Sequence, residues 1–113
     1  SGFTRIPPRA DWAPPSADVR YTYYTDNETV SGVEFAEAPA ADAVGGELVC
    51  DMSSNFLSRR VDVSKYGVIF AGAQKNCGPA GLTIVIVKKA LLGRHRPETP
   101  VVMEYKTLAE KES

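Results

Sequence analysis

The 113-residue chain has no apolar run long enough to span a membrane, which excludes a membrane-crossing helix within it. It holds one histidine and two cysteines, Cys50 and Cys77. Neither cysteine belongs to a CxxC pair or a Cys/His cluster, so no metal site is expected. A disulfide between them stays open, but two free thiols in a reducing compartment is the reading favoured. Neither sign of charge dominates, with 13 basic residues against 14 acidic ones and a net charge of −1. That balance speaks against nucleic acid or an anionic membrane surface as a partner. No secretory signal is expected at the start. The chain opens on Ser1 rather than methionine, so it is expected to be processed or cut from something longer. These absences together point to the cytoplasm. What is present is ordinary for a soluble globular protein, at 43% hydrophobic and 24% charged residues. The length suits one domain or part of one.

Residues 1–18 contain Pro7, Pro8, Pro14 and Pro15, which block helix and sheet ladders. This stretch reads as extended connecting chain, pinned by Trp12. Residues 19–25 (VRYTYYT) are β-branched and aromatic and predict a strand, which Asp26-Asn27 breaks. Residues 30–35 read as a short strand or turn, and residues 36–46 as a loop or weak helix. ELVC at 47–50, ending on Asp51, and GVIFAGA at 67–73 read as buried strands. Asp62 can cap a short turn through Tyr66. LTIVIVK at 82–88 predicts a further strand, residues 89–93 a helical turn closed by glycine, and residues 106–111 a helix. The connection from Ala73 to Leu82 is too short for a parallel crossover, whereas that from Asp51 to Gly67 is long enough. The expected fold class is therefore α/β, a mostly parallel sheet with one antiparallel strand.

Lys75 ends an apolar strand, and ligands of open α/β sheets bind beyond the carboxyl ends of strands. A partly desolvated lysine there becomes an amine nucleophile for carbonyl groups. On spacing alone a solvated surface lysine is the commoner outcome. Asp51 also ends an apolar strand, where it could pair with a cationic ring nitrogen of a cofactor; a cap or turn role is the alternative. Thr29, in Asn27-Glu28-Thr29, could donate a hydroxyl to a ligand oxygen or form a local side-chain turn. Gly78-Pro79-Ala80-Gly81 lacks the GxGxxG spacing and reads as a shaped turn. Arg94-His95-Arg96 reads as a solvated loop rather than an anion site. Ser53, Ser54 and Ser58 have no histidine base nearby in the sequence, so a serine nucleophile is unsupported.

The block from Asp51 to Gly93 (DMSSNFLSRRVDVSKYGVIFAGAQKNCGPAGLTIVIVKKALLG), YTYYTDNETVSGVEF at 21–35 and VVMEYK at 101–106 closely resemble the phosphoserine aminotransferase family. That family lies within the class V, fold-type-I pyridoxal-phosphate enzymes. The resemblance runs over nearly the whole chain. It implies that residues 1–113 form the central part of the large, cofactor-binding domain of a longer enzyme. It implies pyridoxal 5'-phosphate as cofactor. Lys75 then matches the lysine that holds the cofactor aldehyde and shuttles a proton. Asp51 matches the carboxylate on the pyridine nitrogen, Thr29 the hydroxyl on the ring's phenolic oxygen, and Gln74 a residue that helps hold the cofactor phosphate. The implied reaction is transamination of 3-phosphohydroxypyruvate with glutamate to phosphoserine and 2-oxoglutarate, by a homodimer. The residues that bind the substrate phosphate, and those that stack on the ring, fall outside this chain. As a piece by itself it is expected to be a folded but non-catalytic fragment. A related aminotransferase with another substrate is the remaining alternative.

Overall fold

The computed structural model describes residues 4–111. Its frame is a four-stranded sheet in the order β1 (Tyr21–Thr25), β2 (Glu47–Asp51), β3 (Val68–Gly72) and β4 (Thr83–Val87). β1, β2 and β3 run parallel, while β3 and β4 pair antiparallel. The expected mixed sheet is thus present. The short link after β3 forces the antiparallel turn, because a parallel return needs about a dozen residues or more. One helix, α1 (Tyr105–Glu110), follows a run of short 3-10 turns. No helix among the described residues is long and apolar enough to cross a membrane.

Several local expectations are met for physical reasons visible in the sequence. The Asp62 side chain accepts from the Ser64 N–H and starts the turn Val63–Lys65. Gly93 sits at φ +79° behind the turn Lys89–Leu91, where left-handed backbone suits glycine. Trp12 pins the proline-rich segment: its Nε1 donates to the Pro7 carbonyl at 2.9 Å, and its ring meets Phe35 edge-on. Residues 30–35 form a turn closed by a single bridge between Asn27 and Glu34. Gly46 is required by a close approach, since a Cβ there would lie 2.2 Å from the Arg20 carbonyl.

The core is one-sided. Leu48, Cys50, Ile69 and Ala71 point to one face and are at most 5% exposed. Phe56, Val61, Tyr66, Ala38 and Val44, from the two parallel connections, pack over them. Successive parallel strands laid side by side in one direction put both right-handed crossovers on the same face. The other face carries Tyr23, Val49, Phe70 and Val85, with Tyr23 and Phe70 stacked at 6.3 Å. There Tyr21 is 61% and Tyr23 52% exposed. The sequence reading of β2 and β3 as fully buried strands is corrected: each alternates buried and half-buried positions. Their second face is apolar at its centre, and α1 and Leu92 line a hollow with β4 on that side.

The overall dimensions agree. The radius of gyration is 15.5 Å, against roughly 13 Å for a compact domain of this length. The exposed surface is 8309 Å², against roughly 6,100 Å² for a self-contained protein of this mass.

Candidate active site at the carboxyl edge of the sheet

Because β1, β2 and β3 are parallel, their carboxyl ends meet at one edge. Each is followed by one of the polar groups singled out above. Thr29 stands in the loop after β1, Asp51 is the last residue of β2, and Lys75 ends the turn Ala73–Lys75 after β3. The sheet brings Lys75 and Thr29 into contact from 46 positions apart: Lys75 Nζ donates to Thr29 Oγ1 at 3.0 Å. The contact is exposed.

The Thr29 loop is braced from within. The Glu28 carboxylate accepts from the Val30 N–H at 2.9 Å and the Ser31 N–H at 2.6 Å. These backbone donors hold the Glu28 carboxyl below its ordinary value, and the charge of Lys75 adds to the effect. Glu28 N–H donates to the Val33 carbonyl and Phe35 N–H to the Asp26 carbonyl, which closes the loop at its base.

Asp51 shares the open face with Phe70, its register partner on β3. Its Oδ1 accepts from the Ser53 N–H at 2.8 Å, which orients the carboxylate and leaves Oδ2 available. Gln74 folds back over the end of β3, its Oε1 lying 2.9 Å from where a Cβ on Gly72 would stand.

Behind this edge lies a buried polar cluster absent from the sequence reading. Asp26 is 1% exposed and pairs with Arg59 Nη2, while Asn55 Nδ2 donates to both Asp26 Oδ2 at 2.6 Å and Glu34 Oε1 at 2.7 Å. Arg59 also donates to the Phe35 carbonyl at 2.6 Å. The cluster joins the base of the Thr29 loop to the turn after β2. Beside it Cys50 is fully buried, and burial pushes its thiol up to about 12. The Tyr24 and Tyr66 hydroxyls meet at 3.1 Å, and burial raises both.

Cys77 is an unpaired thiol, as is Cys50. The Arg94-His95-Arg96 segment lies in a loop, where His95 Nε2 stands 3.4 Å from Glu104 Oε1. Of the three serines set aside as nucleophiles, Ser58 bonds locally to the Asn55 carbonyl, while Ser53 and Ser54 reach across to Gly72 and Asn27. The signal for Ser53 was the Asp-x-Ser spacing at 51–53, which suits a side-chain turn.

An apolar sheet that delivers a lysine, a carboxylate and a hydroxyl to one carboxyl edge suits a cofactor aldehyde held at a strand end. The chain matches the family Aminotransferase class-V over residues 15–107 and belongs to it. It is 55% identical over 113 residues to the phosphoserine aminotransferase of Laribacter hongkongensis, covering 100% of this chain and 30% of that protein. It is 50% identical over 111 residues to the chloroplastic phosphoserine aminotransferase 2 of Arabidopsis thaliana, covering 98% of this chain and 26% of that protein. Among solved structures, the pyridoxal-phosphate-bound phosphoserine aminotransferase of Trichomonas vaginalis superposes with a TM-score of 0.84 at 42% identity. That match covers 96% of this chain and 31% of the other. The chain therefore spans about a third or less of the relatives it matches.

Proposed function

We propose that this chain is the central part of the large domain of a phosphoserine aminotransferase, and that Lys75 holds pyridoxal 5'-phosphate. The observation that carries the reading is the 3.0 Å contact between Lys75 Nζ and Thr29 Oγ1 across two strand ends. The donor set fits that cofactor. Lys75 offers an amine for its aldehyde, Asp51 a carboxylate for its ring nitrogen, and Thr29 a hydroxyl for its phenolic oxygen. Gln74 offers an amide for its phosphate.

When bound, the cofactor supplies an electron sink that stabilises negative charge on the substrate carbon. The chain's own residues bind, orient and move a proton. The Asp51 carboxylate would face the ring nitrogen and favour its protonated form. Thr29 Oγ1 accepts from Lys75 Nζ and would be free to donate its own proton to the ring oxygen. Lys75 Nζ would take up and return the proton that transamination moves. The reaction we assign to the full-length protein is amino transfer between glutamate and 3-phosphohydroxypyruvate, giving phosphoserine and 2-oxoglutarate. We place that protein in the cytoplasm as a homodimer. The unpaired Cys50 and Cys77 support a reducing compartment.

A second reading applies to the 113-residue piece alone: it folds without turning over. Its exposed site and uncovered apolar face favour this, because half a site cannot hold reactants within catalytic tolerance. The test uses the full-length protein. Borohydride reduction of the loaded enzyme should place the cofactor on Lys75, as read by peptide mass spectrometry, and Lys75→Ala should abolish transamination. Label on a different lysine, or full activity in the variant, overturns the proposal.

A further inference from the structure

The turn after Asp51 reaches in two directions. Ser53 gives its N–H to Asp51 Oδ1 at 2.8 Å, and its Oγ accepts from the Gly72 N–H at 3.0 Å. Gly72 ends β3 and immediately precedes the turn that carries Lys75. Ser54 turns the other way. Its Oγ donates to the Asn27 carbonyl at 2.8 Å and accepts from Asn27 Nδ2 at 2.9 Å. Asn27 opens the segment that presents Thr29. All four bonds are at least partly shielded from water, where hydrogen bonds hold geometry better than at an open surface.

We propose that Ser53 and Ser54 are paired positioning residues that set the spacing of Asp51, Lys75 and Thr29. This rests on the reading that those three groups face one cofactor. Ser53 ties the carboxylate to the lysine's strand end, and Ser54 ties the same turn to the threonine's loop. The physical need is plain. The three groups belong to three separate connections, and strand pairing alone ends at residues 51 and 72. Just past the strand ends two backbone bonds remain, Asp26 N–H to the Asp51 carbonyl and Met52 N–H to the Phe70 carbonyl, and further out side chains tie one loop to the next. A hydroxyl suits this work because it both donates and accepts. Alanine at either position leaves a strand-end or loop group without its partner.

The two serines should therefore fail differently. In the full-length protein without cofactor, Ser53→Ala should speed amide exchange at Gly72 about tenfold and leave Asn27 and Glu28 unchanged. Ser54→Ala, which removes the partner of the Asn27 carbonyl and of its side-chain amide, should leave Gly72 unchanged and speed exchange at Glu28, whose N–H closes the same loop onto Val33. These expectations follow from the loss of shielded hydrogen bonds. In the loaded enzyme each variant should lower kcat about tenfold with KM for glutamate within about threefold. Each should also shift the pH midpoint of the cofactor's visible absorption. Ser53→Thr, which keeps the hydroxyl, should regain most of the lost kcat. Wild-type exchange and wild-type kcat in both alanine variants overturn the proposal. So does an equal rise in exchange across both loops for either variant, which marks general loosening. Amide exchange is read without cofactor, whereas the borohydride label is read with it. A misplaced label with loop-specific exchange would sink the cofactor assignment and leave the tie between the loops standing.

Discussion

The two faces of the sheet are built from similar residues and meet opposite fates. Leu48, Cys50, Ile69 and Ala71 are buried under the two parallel connections, while Tyr21, Tyr23 and Val85 stay exposed. Residue chemistry distinguishes them only in part, since both rows hold apolar and aromatic residues and the open one adds Glu47 and Asp51 at the ends of β2. Chain path does the rest. Two successive crossovers of the same hand cover one face only, so the second face stays largely open among the described residues. The excess surface and the large radius of gyration are the same fact measured globally.

Neighbouring residues on β3 offer the sharpest way to break this comparison. Ile69 is 1% exposed on the covered face, and Ile69→Ala should cost about 2–5 kcal/mol. Phe70 lies half-buried on the open face. In the 113-residue chain Phe70→Ala should cost less than about 1.5 kcal/mol, because truncation there leaves no closed cavity. In the full-length protein the gap between the two should close. Urea titration of each variant in both lengths measures it; an equal loss in the short chain would mean that the open face is already covered.

The covered face also carries a pH dependence of its own. The Cys50 thiol ionises near 9.0 when free but at about 12 when buried. Between those values the unfolded chain has released a proton that the folded chain keeps, so stability falls as pH rises through this window. The contribution is flat below pH 9, and its slope is at most about 1.4 kcal/mol per pH unit. Tyr24 and Tyr66 add to it with the same sign at higher pH. Denaturation midpoints taken from pH 8 to pH 10 should decline, and Cys50→Ala should flatten the decline.

The smallest effect concerns backbone strain. Leu57 is the one non-glycine residue at positive φ among the described residues, at +68°, and it is 69% exposed. Leu57→Gly relieves the left-handed penalty and loses little packing, so stability should change by between zero and about +1 kcal/mol. A loss larger than that in a thermal scan would show that the Leu57 side chain has a partner in the longer protein.

Much of the frame was legible in local pattern. VRYTYYT, ELVC, GVIFAGA and LTIVIVK each became a strand, because β-branched and aromatic runs bounded by turn residues suit little else. The antiparallel pairing of β4 followed from a connection too short to cross over. Lys75 and Asp51 were legible as polar groups closing apolar runs, and Thr29 as a hydroxyl just past a strand. Other features were not. The half-burial of β2 and β3 depends on which face the connections cross. The Asp26–Arg59 pair joins residues 33 positions apart, and Ser53 and Ser54 look like ordinary turn residues until their partners are seen.

The sequence alone determined the local elements and their order, because propensity, periodicity and loop length act over a few neighbouring residues. It also determined which side chains stand at the carboxyl ends of strands. Only the tertiary structure decided that Thr29 touches Lys75, that one apolar face is covered and the other is not, and that two serines bridge three loops. Such contacts depend on strand register and crossover path, which are settled by packing across the whole sheet and not by any short stretch of chain.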